Sequence, residues 1–599
     1  MTLKRSRLQA ATGLSCAFAL LAACATQPEA GSAAASSEVA LKVSALTGTC
    51  GSVSTNSPLG EIRNFKLVRT GPNDKGQVET QTIAAAFNGS AKSITFSNID
   101  VGSPLQVTLL GYTQDGVVSW FARKSAVTLN KLETQTVDVT LMASEGFTCV
   151  GPDAGLSKLV FPVLTPIGAD KILITGGFGD ATLSGTDLKL SLPQTQAWLF
   201  DSAKGTFTDA GQLSSARGAH SAIYLPKSQK ILVVGGTTAM TLKADGSTPP
   251  SWNVADAVSQ RWELCALGAN NQLSCSTDQT IQDNVQARVM PNLLLLTADY
   301  VVASGGAPWP TVETTNYLSG DLFDPTLVTQ VDGGLGGFAK QNNGALKMNG
   351  SRAGSAVAQF ATPSSFGTYR YLIWGGNESI SAQGVPSAAG KVIDIALESS
   401  NLGDVRFDDS YALVGTDGKP TTDYSEANGS LFFPTLSALG PSTLDSGDVV
   451  ERFAAIGGAR YNNGVWAAPS KDDAFLLTVN DAQKTITIQK MPGLSAGVYL
   501  HSATSTGGHV VVSGGLTGLK GGGATLTDFA PNAADPFGPL TVGDTPPAAA
   551  ATFIARGALA ATKLSNDCIF LFGGVADFDD LKDHPGGASD VYCPGFLAQ

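Results

Sequence analysis

Four histidines and eight cysteines are the whole stock of soft metal ligands and thiol nucleophiles in this chain, and their spacing offers them little chemistry. His220, His501, His509 and His584 lie far apart, three of them outside any recognisable ligand spacing. No Cys-x-x-Cys occurs and no histidine adjoins a cysteine, so zinc-type ligation has no pattern to rest on. Neither a Gly-x-Ser-x-Gly elbow with matched partners nor a phosphate-cradling loop ending in Gly-Lys-Ser/Thr stands out. Acidic residues are scattered, and a carboxylate pair formed only in space would leave no trace in sequence. The sequence therefore predicts no catalytic set, no metal and no cofactor.

Four arginines differ, because they recur in step with another signal. Seven short apolar runs end in Gly-Gly, at Gly176-Gly177, Gly235-Gly236, Gly305-Gly306, Gly375-Gly376, Gly457-Gly458, Gly514-Gly515 and Gly573-Gly574. Arg288 lies 17 residues before Gly305, as Arg556 lies 17 before Gly573; Arg217 precedes Gly235 by one strand and a turn, and Arg352 is the fourth repeat arginine. With 68 glycines, chance alone gives roughly seven or eight Gly-Gly pairs, of which about two would follow an apolar stretch. Gly333-Gly334, Gly507-Gly508 and Gly586-Gly587 follow Asp, Thr and Pro and read as loop glycine. The six intervals between the seven signals run 59, 70, 70, 82, 57 and 59 residues, a loose period expected of a repeat architecture with loops of varying length.

The residues around these signals resemble the kelch repeat. Arg217-Gly218-Ala219-His220-Ser221-Ala222 and Arg556-Gly557-Ala558-Leu559-Ala560-Ala561 each precede a Gly-Gly strand, and Trp198-Leu199-Phe200-Asp201 and Asp321-Leu322-Phe323-Asp324-Pro325 fall between such strands. The resemblance covers roughly Leu156 to Cys593 and implies a seven-bladed β-propeller, its blades apolar on both faces and packed around an axis. Gly-Gly would close each second strand, where a Cβ would obstruct the turn. The arginines would bond carbonyls or acids near the axis, a polyanion funnel being the other reading. A segment near Gly146 to Val160 is expected to supply the outer strand of the last blade. Tyr499-Leu500-His501 invites comparison with copper-radical oxidases, kelch propellers similar to galactose oxidase. Their adjacent Tyr-His is interrupted here by Leu500, and His501 aligns with His220 as a repeat residue.

Residues 39–145 alternate apolar and polar in short stretches such as Ile94-Thr95-Phe96, with a hairpin turn at Gln114-Asp115-Gly116. They predict a small antiparallel β-sandwich of immunoglobulin or transthyretin type, acting as a spacer, ahead of a propeller over 150–599. The fold class is all-β. Of the cysteines beyond Cys16, Cys265 and Cys275 flank a turn and Cys568 and Cys593 lie in neighbouring strand signals, so each couple is expected to bridge. Elimination leaves Cys50 with Cys149.

Residues 1–23 place Lys4, Arg5 and Arg7 ahead of an apolar stretch, the layout of a secretory signal. Leu21-Ala22-Ala23-Cys24 resembles the bacterial lipobox, which implies acylation of Cys24 and a flexible tether over 24–38. An exported, lipid-anchored protein of the cell envelope follows, outer-membrane, periplasmic or surface-facing, and a monomer. A net charge of −12 excludes nucleic acid as a partner. The long segments after Gly-Gly share one face of such a ring, where Trp309 is a candidate contact for a protein or polysaccharide partner. An extracellular carbohydrate-active enzyme or oxidase, or a purely structural envelope component, are the alternatives. Labelled palmitate is expected to enter the chain in cells and to be lost from Cys24→Ala; incorporation into that variant, or none into the parent, refutes the anchor.

Overall fold

In the computed structural model, residues 36–593 are described apart from intervening stretches, the longest being 307–318, 377–389, 540–555 and 575–588. Seven of its sheets are built alike, and each contains one Gly-Gly signal. In the second, Ser221–Leu225, Lys230–Val234, Arg261–Leu267 and Leu273–Cys275 lie side by side in that order, from inner to outer. The inner strands of all seven are Val163–Ile167, Ser221–Leu225, Asn292–Leu295, Ala356–Gln359, Thr435–Thr443, Ser502–Thr506 and Ala560–Lys563. Every Gly-Gly directly follows a second strand, and all fourteen glycines have positive φ. The protein is an all-β, seven-bladed propeller of kelch type, as the repeat predicts.

Second strands are apolar on both faces because each blade is covered by two neighbours. Ile569, Phe570, Leu571 and Phe572 are all fully buried, where each is worth about 1.5–3 kcal/mol relative to exposure. The first and last blades meet through Phe200 and Phe570, stacked with centroids 4.3 Å apart. Blade five carries an additional outer strand, Ala412–Val414, parallel to Thr485–Lys490. Both strand-bridging disulfides form, Cys265–Cys275 and Cys568–Cys593. The Cys50–Cys149 pairing falls on side chains outside those described.

Ahead of the blades, strands β1 (Ser36–Ala45), β2 (Asn64–Pro72), β3 (Val78–Ala86), β4 (Ser93–Asp100), β5 (Gly102–Tyr112), β6 (Val118–Leu129) and β7 (Gln135–Ala143) form one sheet in the order β3-β2-β5-β6-β7-β1-β4. It is rolled so that its halves face each other across Phe65, Phe96, Leu109 and Trp120, and only β1 against β7 is parallel. Strand pairing begins at Ser36, inside the segment expected to be tether. Arg69 is fully buried and donates to the carbonyls of Asp100, Val101 and Pro72, joining the two ends of the roll.

β7 leads through two residues into β8 (Gly146–Cys149), which pairs with Ser589–Cys593 as the outer strand of the last blade. The first unit is also packed on the propeller: Leu110, Phe121 and Met142 join Val150, Ile172, Phe200 and Leu564 in one apolar cluster. Arg123 pairs with Asp567, and the Thr140 hydroxyl donates to the Ala203 carbonyl.

The first glycine of a Gly-Gly lies hard against the following blade. A Cβ on Gly235 would lie 2.0 Å from the Arg288 carbonyl oxygen of the next blade, whereas one on Gly185, φ +64°, meets nothing within 4 Å. Gly235→Ala is therefore expected to cost more than about 3 kcal/mol, and Gly185→Ala about 1–2 kcal/mol, the left-handed backbone alone. Chemical denaturation of both variants checks this, and equal losses would refute the clash.

Candidate functional site at the axial mouth

A four-residue lead precedes every inner strand, and its members converge on the axis at the end of the ring where Gly-Gly lies. The third member is held at positive φ in all seven blades: Phe161, Ala219, Met290, Gly354, Phe433, Leu500 and Ala558, between 52° and 65°. Only one of the seven is glycine, so six carry the steric cost of a left-handed backbone, about 1–2 kcal/mol each. What holds them is a belt of backbone hydrogen bonds from blade to blade. Phe161 N–H donates to the Ala558 carbonyl at 3.0 Å, Ala558 to Leu500 at 3.0 Å, Phe433 to Gly354 at 2.8 Å and Met290 to Ala219 at 2.8 Å.

A second belt lies beside it. The second glycine of a Gly-Gly donates to the first lead residue of the following blade: Gly177 to Arg217 at 2.9 Å, Gly236 to Arg288 at 2.9 Å, Gly458 to Val498 at 2.8 Å, Gly515 to Arg556 at 2.8 Å and Gly574 to Leu159 at 2.8 Å. Neighbouring blades are thus joined by main chain as well as by apolar packing.

The arginines fasten each lead to its own blade. Arg217 donates to the Gly235 carbonyl at 2.8 Å and to Glu263 at 2.6 Å, and Glu263 also accepts from the Ser214 N–H at 2.7 Å. Arg288 donates to the Gly305 carbonyl, and Arg556 to Asp590 at 2.9 Å. All three arginines are fully buried, so the structural reading holds for them against the polyanion funnel. Burial pushes the Asp590 carboxyl above its ordinary range, against the pull of Arg556. Removing one partner of such a buried pair typically costs about 3–5 kcal/mol. Arg352 lies outside the described residues.

The acidic partners were not singled out from sequence, although a signal exists. Glu263 and Asp590 sit opposite Val233 and Leu571, two positions before Gly-Gly, in otherwise apolar third strands. Asp321 has the same register opposite Ala303. An acid at the second or third residue of a third strand, paired with an arginine in the lead, is that signature.

His220 and His501 occupy the fourth lead position, held by Pro162, Pro291, Pro434 and Leu559 in other blades. There each side chain packs on the first glycine of the preceding blade: a Cβ on Gly176 or Gly457 would come within 2.6 Å and 2.5 Å of the histidine Cε1. Nε2 of His220 lies 2.9 Å from the Thr175 hydroxyl, and Nε2 of His501 lies 2.9 Å from that of Thr435. The Thr435 hydroxyl also donates to the Ile456 carbonyl at 3.3 Å, which leaves its oxygen to accept from the His501 Nε2–H. Burial, helped by the Arg217 charge, holds His220 down at about 3, and burial holds His501 at about 4. These rings are inter-blade packing, interchangeable by position with proline and leucine.

Above the belts the mouth is apolar. Val160, Phe178, Val289, Phe432, Tyr499 and Leu516 meet over the axis. A small sheet made of Phe178–Ser184, Asp187–Pro193, Met240–Lys243 and Ser251–Trp252, inserted after the first two Gly-Gly signals, lays Leu188, Leu190, Met240 and Leu242 on that cluster. Lys189 faces outward between the two leucines. Blade five adds a second insertion of three short strands, Ser430–Phe432, Ala459–Asn462 and Val465–Ala467. Among the described residues the one clustering of potential metal ligands is Glu263, Cys265 and Cys275, whose sulfurs are joined to each other and whose carboxylate is held by Arg217. Trp309, His584 and Cys24, the expected lipidation site, lie outside the described residues, as does the side chain of His509.

No protein-family model matches the chain, and no curated protein does. Among solved structures it is similar to a fungal alcohol oxidase of the AA5 family in complex with copper, at 13% identity and TM-score 0.41, over 74% of this chain and 76% of that one. It is also similar to YjhT, at 11% identity and TM-score 0.35, over 64% and 98%. The fold is read from the order of its own strands.

Because His220 and His501 stay neutral when folded, the unfolded chain takes up protons below about pH 6.5 that the folded chain refuses. Stability therefore falls as pH drops from 6.5 toward the folded values, by up to about 1.4 kcal/mol per pH unit for each ring. Replacing both by the residue found in the last blade, His220→Leu with His501→Leu, is expected to flatten that slope in unfolding measurements between pH 7 and 5. An unchanged slope would refute neutral burial.

Proposed function

We propose that the propeller is a non-catalytic binding scaffold, exported and held at the cell envelope by lipid on Cys24, that offers the face around its axial mouth to a protein or polysaccharide. The observation that carries this reading is the filling of the mouth. The point where seven blades converge, the natural place for a reaction centre in such a ring, is packed with Val, Phe, Leu and Tyr side chains, and the buried arginines, histidines and acids beneath it are engaged in holding blades together. Outward of the plug lie inserted strands, and a rigid scaffold bearing variable segments is the usual carrier of recognition.

Export is supported by the two disulfides, which persist in oxidising compartments. Among the described residues no helix is long and apolar enough to cross a membrane. The rolled first unit then serves as the spacer between lipid and propeller.

The mature chain, presented to an array of envelope polysaccharides and to envelope extract, is expected to retain a partner stably. Retention should fall at least tenfold when the outward surface is altered by Lys189→Glu with Thr241→Glu. Turnover of a carbohydrate or alcohol without stable retention would overturn the scaffold reading in favour of an enzyme.

A further inference from the structure

We infer that the first unit is a fixed pedestal that turns the axial mouth away from the anchoring membrane, so that the partner is a macromolecule lying beyond the headgroup layer and not a lipid within it. This rests on the anchor at Cys24 proposed above; the geometry itself does not.

Strand register alone sets the direction. β1 runs parallel to β7, with Val39 beside Gln135 and Ala45 beside Leu141. The end of β1 that receives the tether is therefore the start of β7, and β7 runs from there toward the propeller. β8 continues it and enters the last blade with Gly146 opposite Cys593 and Cys149 opposite Asp590. Third strands begin at the Gly-Gly end, where Phe572 is opposite Ser589, and finish at the other end. So the chain enters the ring at the face opposite the mouth and climbs toward it.

The joint leaves no freedom to reverse this order. Only Ser144 and Glu145 separate β7 from β8, and the contacts across the joint include Arg123 with Asp567 and Met142 against Leu564. From Gln135 to Gly146 an extended chain spans about 35 Å, and the height of a blade carries the mouth to about 50 Å from the tether origin. The tether adds ~20 Å of typical reach, too little to fold the mouth back onto the bilayer.

The test couples the mature chain through Cys24 to vesicles of phosphatidylcholine containing a maleimide lipid, which bypasses cellular acylation; Cys24→Ser must abolish the coupling. A fluorescent donor is placed through an azide-bearing residue at position 189, exposed at the mouth, or at position 444, exposed on the hairpin between Thr435–Thr443 and Val449–Ile456 at the opposite face. With an acceptor lipid in the bilayer, transfer from position 444 is expected to exceed that from position 189 at least about twofold, given separations of about 30 and 50 Å. Equal transfer, or the reverse order, overturns the pedestal. Failure of palmitate to enter Cys24 in cells, alongside the expected order of transfer, overturns the anchor and leaves the pedestal standing.

Discussion

One contact, repeated around the ring, governs the architecture: main chain of one blade hydrogen-bonded to main chain of the next, at a distance only glycine permits. Among the described residues the second glycine of six of the signals gives its N–H to the next blade's lead, while a side chain on the first would collide with that same carbonyl. Apolar packing between blades is broad and undirected. The glycine contact is narrow and directed, and it fixes the angle at which each blade follows the last. The left-handed residues, the buried arginines and the Thr–His pairs are all arranged around it.

Seen this way, the polar groups near the axis form a single structural device. Where the lead begins with Arg217, Arg288 or Arg556, that side chain ties it to an acid or a carbonyl of its own blade, and the lead in turn supplies the oxygen that the preceding blade needs. Groups of this kind would otherwise invite a catalytic interpretation, because burial shifts their protonation strongly. Here the shifts follow from desolvation within a packed joint, and the partners are structural: threonine hydroxyls for the two histidines and Arg556 for Asp590.

The blade count and the strand closed by each Gly-Gly were legible in the sequence because they depend on residues adjacent in the chain. The two hairpin-like disulfides and the strand lent to the last blade were legible for a related reason, since each lies where only one neighbour is available. The left-handed ring was hidden: Phe161, Met290, Phe433 and Leu500 give no local sign of positive φ, which their surroundings impose. So was the filled mouth, since Val160, Phe432 and Tyr499 meet only when distant blades do. Glu263 and Asp590 could have been found by aligning third strands with the arginines before Gly-Gly. Trp309 and Cys24 lie outside the described residues, and those two expectations stand as the sequence makes them.

The strand Gly146–Cys149 has a further meaning when the chain is considered in time. It is made before the blades and its partner, Ser589–Cys593, follows more than four hundred residues later, so the ring must remain open while those residues are laid between them. Until then the faces that carry Phe200 and Phe570 have no cover. Pairings so distant in sequence form slowly, and apolar surface left waiting favours aggregation. The first unit, rolled on its own core, is the one part able to be complete from the outset, and it holds the missing strand in readiness at its edge. The order of synthesis thereby makes closure of the ring wait for the last blade.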